Sequence, residues 1–197
     1  MTTASLNRMA DTSFTRDSFT RLNYAMVVLF GFGVAAFGPA MPLMRDDLGI
    51  SRTVGGLHFS AIAAGSVIAG IVAVRVAHSW GRRRTFWVGG FGVATGATLI
   101  GTGLHPAMTL AGALLIGSLG SMLLIVTQAA ISDRHPAHRS VALTELNTSS
   151  SLGTVLPAVL IGGFVAVGMG WRPAFAAPVL VTMVIFTPVS YTHLTLP

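Results

Sequence analysis

The sequence predicts an all-α polytopic membrane protein with six transmembrane helices, and three observations carry that expectation. Only 9% of its 197 residues are charged and 52% are hydrophobic, whereas soluble domains carry about 25% charged residues. Six apolar runs alternate with short polar turns, and the arginines gather in every second turn.

Residues 1–23 read as a polar, flexible tail rich in Thr and Ser, with Arg8, Arg16 and Arg21. They lack the apolar centre of a cleavable signal peptide, so the first apolar run is expected to act as a retained anchor. That run is Tyr24–Met44, and about 20 apolar residues suffice to cross a bilayer. Pro39 and Pro42 remove backbone donors near its end and predict a kink there. A turn holding Asp46 and Asp47 between Arg45 and Arg52 leads into a second span, Leu57–Val76. In it Ala61, Gly65, Ala69 and Ala73 recur every four residues, a small-residue stripe that lets another helix approach closely.

Val74–Thr85 is a strongly basic turn, with Arg75 at one end and Arg82, Arg83 and Arg84 after Gly81. A third span, Phe86–Leu104, carries Gly92 and Gly96, a spacing that so glycine-rich a chain shows by chance. His105–Pro106 make a minimal turn into a fourth span, Met108–Ile131. The next loop holds Asp133, Arg134 and Arg139. A fifth span, Val141–Met169, exceeds what crossing needs and is expected to tilt or to leave the hydrocarbon at one end. Trp171–Arg172–Pro173 turn the chain into a sixth, Phe175–Val189, short at about 15 residues.

The tail and the loops after spans two and four hold nine arginines; the opposite loops hold three. The positive-inside rule then places the N-terminus in the cytoplasm, with the chain multi-pass in the cytoplasmic (inner) membrane. The net charge of +6 is explained by that topology, so no nucleic-acid partner is expected. Without cysteine there is neither disulfide nor thiol chemistry. Dinucleotide, P-loop and zinc motifs are absent, so no cofactor or metal is expected.

From Val74 the basic turn resembles the signature G-x-x-x-D-R-x-G-R-R, which lies between the second and third helices of the major facilitator superfamily (MFS) of transporters. Gly81, Arg82 and Arg83 match its end, while Val74, His78 and Ser79 replace its opening Gly, Asp and Arg. The string from Gly38 to Ser51 and the loop Asp133–Arg139 are also similar to the family, and the resemblance covers about Asn23 to Val189. It implies twelve helices in two six-helix halves, with substrate between the halves near the midplane and transport by alternating rocking. The chain would then be a fragment, the N-terminal half, with the C-terminal half as its missing partner. Ser190–Pro197 look like translated sequencing-adapter read-through, which would explain the short sixth span; a genuine short tail is the other reading.

The resemblance also implies a cytoplasmic gate loop. In the family the arginines at Arg82 and Arg83 pair with acidic groups and helix ends, and Asp133 is the candidate partner. His78 in place of the signature's Asp alters that network. The same arginines serve topology and bind lipid phosphates.

Span five holds the substrate-cavity candidates. Thr144, Asn147, Ser151 and Thr154 follow 3, 4, 3 spacing and share one helix face, suited to a cavity lining or to interhelical hydrogen bonds. Glu145, the sole glutamate, lies about 6 Å into a helix that starts at Val141. It reads as stabilised by the helix dipole and paired with Arg139, or as a proton or substrate site. Gln128 and His58 are weaker candidates. Two exporter signatures are broken: Ala113 stands where drug/proton exporters place an arginine four residues before a glycine, here Gly117. Leu156 precedes Pro157, and Gly162–Gly163 fall two places late.

The function expected is secondary active transport of a small solute by alternating access, coupled to H+ or another ion, and not catalysis. Two other readings stay open. One is a self-contained six-helix protein, a homodimeric carrier or scaffold. The other is an intramembrane protease, which needs Ser and His at matching depth, whereas all six histidines lie near span ends, in loops or in the tail.

Overall fold

Asp17 opens the first helix. Its backbone is extended and its carboxylate accepts the Thr20 N–H at 2.9 Å, filling one of the orphan donors of a helix start. In the computed structural model, which describes residues 14–192, α1 therefore runs Ser18–Ala35, beginning inside the stretch that reads as tail. Pro39 lacks the N–H that would reach Ala35. The helix breaks at Ala36 and resumes as α2, Phe37–Leu48. Gly49, with φ 63°, ends α2. Ser51 then caps α3, Arg52–Trp80, through the Val54 N–H at 3.2 Å.

Gly81 joins α3 to α4, Arg82–Thr102, at φ 81°, a backbone region open mainly to glycine. His105 and Pro106 start α5, Pro106–Leu115. A π turn, Ile116–Gly120, links it without a break to α6, Ser121–Arg134. A 3-10 turn, Pro136–His138, leads to α7, Arg139–Ala166. A second, Arg172–Phe175, leads to α8, Ala176–Thr192. No strand occurs among the described residues. Of the supposed read-through, Ser190–Thr192 continue α8, and residues 193–197 lie outside the described residues.

Among the described residues, four helical rods are long and apolar enough to cross a membrane: α1, α3, α5 through α6, and α7 with its preceding turn. The other two expected spans fall short of that standard. α4 has 21 residues, but its opening arginines and its many glycines and threonines dilute its apolarity. The final apolar stretch, Arg172–Thr187, is too short.

Small residues decide how closely the rods pack. Gly31 of α1 lies on the Ser150 carbonyl of α7, and Gly153 of α7 lies on the Val28 carbonyl of α1. A Cβ on Gly65 of α3 would stand 2.6 Å from the Ser118 nitrogen and 2.7 Å from the Leu114 oxygen. With Ala69 and Ala73 also buried, the predicted stripe faces the α5–α6 rod. The Gly92 and Gly96 spacing, uninformative by itself, puts both glycines against Leu119 and Ile116 around the π turn. Phe37, Phe175, Ile100, Ile116 and Trp171 fill one end of the core. Met26, Phe86 and Leu123 lie in a second cluster.

Candidate functional site

The arginine-rich end is built on the Gly81 turn. Helix α4 starts on its far side, which brings Arg82 back toward the end of α6. There its Nη1 donates to Asp133 Oδ2 at 2.5 Å. His78, Arg82, Ala77, Ile125 and Ala129 line a small recess beside this pair, about 130 Å³ in volume. Arg83 lies exposed on the same turn. The residues named for a gate loop thus share one end of the molecule, with Arg82 and Asp133 in contact, His78 beside them and Arg83 turned outward.

The polar face of α7 points away from its own neighbours. Ala142, Leu146, Gly153, Pro157 and Ile161 form the buried side, while Thr144, Asn147, Ser151 and Thr154 are exposed. The hydroxyls do not reach across to another helix. Ser151 donates to the Asn147 carbonyl at 3.0 Å, and Thr154 to that of Ser151 at 2.7 Å. Thr148 donates to the Thr144 carbonyl at 2.9 Å. Each such hydroxyl has spent its proton on its own helix and offers only an acceptor outward. Asn147, with Gln128, Ser132 and Arg139, lines an open recess of about 350 Å³ at the edge between α6 and α7.

Glu145 is not paired with Arg139. Six residues along a helix is one and two-thirds turns, so the pair misses the i+3 and i+4 spacing at which side chains meet. Instead Arg16, before α1, closes on both carboxylate oxygens, its Nε donating at 2.8 Å, and the Tyr24 hydroxyl adds a bond at 3.2 Å. Arg16 is raised above its ordinary range by the hydrogen bond to Glu145 and then by that charge.

The same N-terminal segment clasps the loop after α6. Arg134 Nη2 donates to Asp17 Oδ2 at 2.7 Å. Thr20 Oγ1 lies 2.8 Å from His135 Nε2, and the Phe14 ring stands edge-on to that imidazole at 4.9 Å. Burial pushes the Asp17 carboxyl upward, but the Thr20 hydroxyl and N–H, then Arg134, outweigh it and hold the group at about 2. Burial is the leading cause that lowers His135.

At the opposite end Arg172, expected only as part of a turn, is a clamp. It donates to Asp47 Oδ2 at 2.7 and 3.1 Å, and to the Gly101 and Gly103 carbonyls at 3.2 and 2.8 Å. His58, also at this end, is fully buried and bonds Thr109 of α5. No cluster of metal-binding side chains occurs among the described residues.

Three comparisons bear on this arrangement. Over 156 residues the chain is 26% identical to the plastidic glucose transporter 4 of Arabidopsis thaliana, covering 78% of this chain and 29% of that protein. Its fold is similar to the inward-open xylose transporter XylE from E. coli, with a TM-score of 0.67 at 14% identity. That alignment covers 88% of this chain and 47% of XylE. The chain therefore spans less than half the length of either relative. The family model of the Major Facilitator Superfamily matches residues 24–195. A match of that extent, on apolar helices joined by an arginine-rich turn, makes the conclusion plain: this multi-pass membrane chain belongs to the Major Facilitator Superfamily.

Proposed function

We propose that the chain is the N-terminal six-helix half of a secondary active transporter, moving a small polar solute by alternating access. The observation that carries this reading is the polar face of α7, turned away from its own bundle. The Ser151 and Thr154 hydroxyls of that face are satisfied by their own helix, but the Asn147 amide is not, and burying it in hydrocarbon without polar company would be costly. A facing second half, with water and solute between, supplies that company. Membership of a transporter family supports solute transport rather than catalysis.

In this reading α4 and α8 cross the membrane together with the four longer rods, and the N-terminus is cytoplasmic. The arginine turn is then the inner gate, with Arg82 and Asp133 as one of its latches and membrane lipid around its remaining arginines. Thr144, Asn147, Ser151 and Thr154 form one wall of the solute path, and Glu145 stands at its inner edge. Outward-facing acceptors suit a solute rich in O–H donors. Two relatives are by their titles glucose and xylose transporters, so monosaccharides are the solutes to try first.

The test is uptake of radiolabelled sugars by liposomes. Residues 1–197 alone are expected to be inactive, and measurable uptake by them overturns the half-transporter reading. Resequencing the source DNA past codon 189 decides the tail: a reading frame continuing into further spans supports a truncation. A stop codon after Pro197 instead favours a self-contained six-helix protein. In the continued frame, Asn147→Ala should weaken uptake, and exchanging the charges of Arg82 and Asp133 together should restore what either reversal alone loses.

A further inference from the structure

We propose that the seam between α4 and α8, at the arginine-rich end, binds the headgroup and upper acyl chain of an anionic phospholipid. The side chains come in the order that a lipid requires. Arg83, Arg84, Trp87 and Phe91 fall within about 100° of one face of α4, at about 100° per residue. Along the axis Trp87 lies about 6 Å below Arg83 and Phe91 about 12 Å. From α8, Phe186 closes the column, its ring edge-on to Trp87 at 5.0 Å and to Phe91 at 5.1 Å. Phe86 braces the indole at 5.5 Å. Cations thus stand at the top, an indole follows, and rings continue beneath.

The charges select the headgroup. Arg82 is engaged by Asp133, but Arg83 and Arg84 are exposed and bond nothing among the described residues. A phosphodiester offers both guanidiniums a negative charge and strong acceptor oxygens. The Trp87 indole N–H also has no acceptor among the described residues. It can donate to an ester carbonyl just beneath the phosphate, at the level where membrane tryptophans gather.

A zwitterionic headgroup fits less well, because its ammonium needs an anion of its own. Glu145, Asp133 and Asp17, the carboxylates described at this end, already hold Arg16, Arg82 and Arg134. A headgroup without a cation, such as phosphatidylglycerol, makes no such demand. The assignment rests on the proposed crossing of the membrane by α4 and α8, and on nothing about the solute.

The experiment is quenching of tryptophan fluorescence by brominated phospholipids, with residues 1–197 reconstituted in bilayers. The chain has three tryptophans, so Trp80→Phe with Trp171→Phe leaves Trp87 as the sole emitter. Brominated phosphatidylglycerol in phosphatidylcholine should quench it at a far lower mole fraction than brominated phosphatidylcholine in the converse mixture. Arg83→Gln and Arg84→Gln should each cut that preference by about fivefold, the scale for one arginine near an anionic surface. Arg21→Gln, at an exposed position of α1 at the same end, should leave it unchanged. Equal quenching by the two lipids, or a loss in Arg21→Gln matching that in Arg83→Gln, would overturn the lipid site alone. Trp87 unquenched by either lipid would overturn the crossing of α4 as well.

Discussion

Arg16 and Glu145 meet across 129 positions of sequence, tying the segment before α1 to the first turns of α7. The chain's sole glutamate is thereby engaged by the chain itself. Glu145→Gln should free Arg16 and raise its rate of tryptic cleavage several-fold in micelles, with the melting temperature little changed because the arginine is exposed. Cleavage equal to the parent's would mean that the N-terminal clasp rests on Asp17 and Thr20 instead.

The pH response of that clasp has a definite sign. Burial holds His135 below its ordinary value, so the unfolded chain takes up that proton first, and stability falls as the pH drops below about 6.5. Asp17, held at about 2, contributes in the other manner: its stabilisation is complete above the ordinary carboxylate range and is lost only as the pH falls toward 2. Melting temperature measured from pH 8 to pH 5 should therefore fall less steeply in His135→Gln than in the parent. Asp17→Asn should lower the whole curve and deepen its fall below about 6.5, because the Asp17 charge is what raises His135 against its burial.

Gly65 is the tightest test of the small-residue stripe. A methyl there meets backbone atoms of the α5–α6 rod, which cannot move aside as a side chain can. Gly65→Ala should cost about 1–3 kcal/mol, the usual range for overpacking, read as a lower melting temperature. Gly70 of the same helix has open space around its Cβ position, so Gly70→Ala should stay within about 0.5 kcal/mol of the parent.

Arg172 joins three elements, and its partners divide the cost of losing it. Arg172→Ala gives up Asp47 and two carbonyls at the end of α4, and should destabilise by about 2 kcal/mol, the scale of hydrogen bonds to a charged group. Asp47→Asn should cost less, since the contacts to the Gly101 and Gly103 carbonyls survive. Equal losses in the two variants would show that the carbonyl contacts contribute nothing.

What the sequence determined by itself was everything that depends on local composition and period. Low charge and apolar runs specify membrane helices. Pro39 marks the break after Ala35, Gly81 the turn before α4, and the four-residue recurrence from Ala61 to Ala73 the packing face of α3. The 3, 4, 3 spacing of Thr144, Asn147, Ser151 and Thr154 places them on one side of α7. None of these needs a partner from elsewhere in the chain.

Only the tertiary structure decided the pairings. Arg139 and Arg16 are equally basic, yet helix geometry denies Glu145 to the first, and the start of α1 delivers the second. The Asp17 cap that sets that start falls in the stretch that reads as a flexible tail, so neither the cap nor the contact it produces was legible. His58 read as a weak candidate near a span end. It gained meaning only when α5 brought the Thr109 hydroxyl, 51 positions away, to its second nitrogen. A sequence states which donors and acceptors exist, but their partners follow from where packing lays one helix against another, and that packing is set by contacts far apart along the chain.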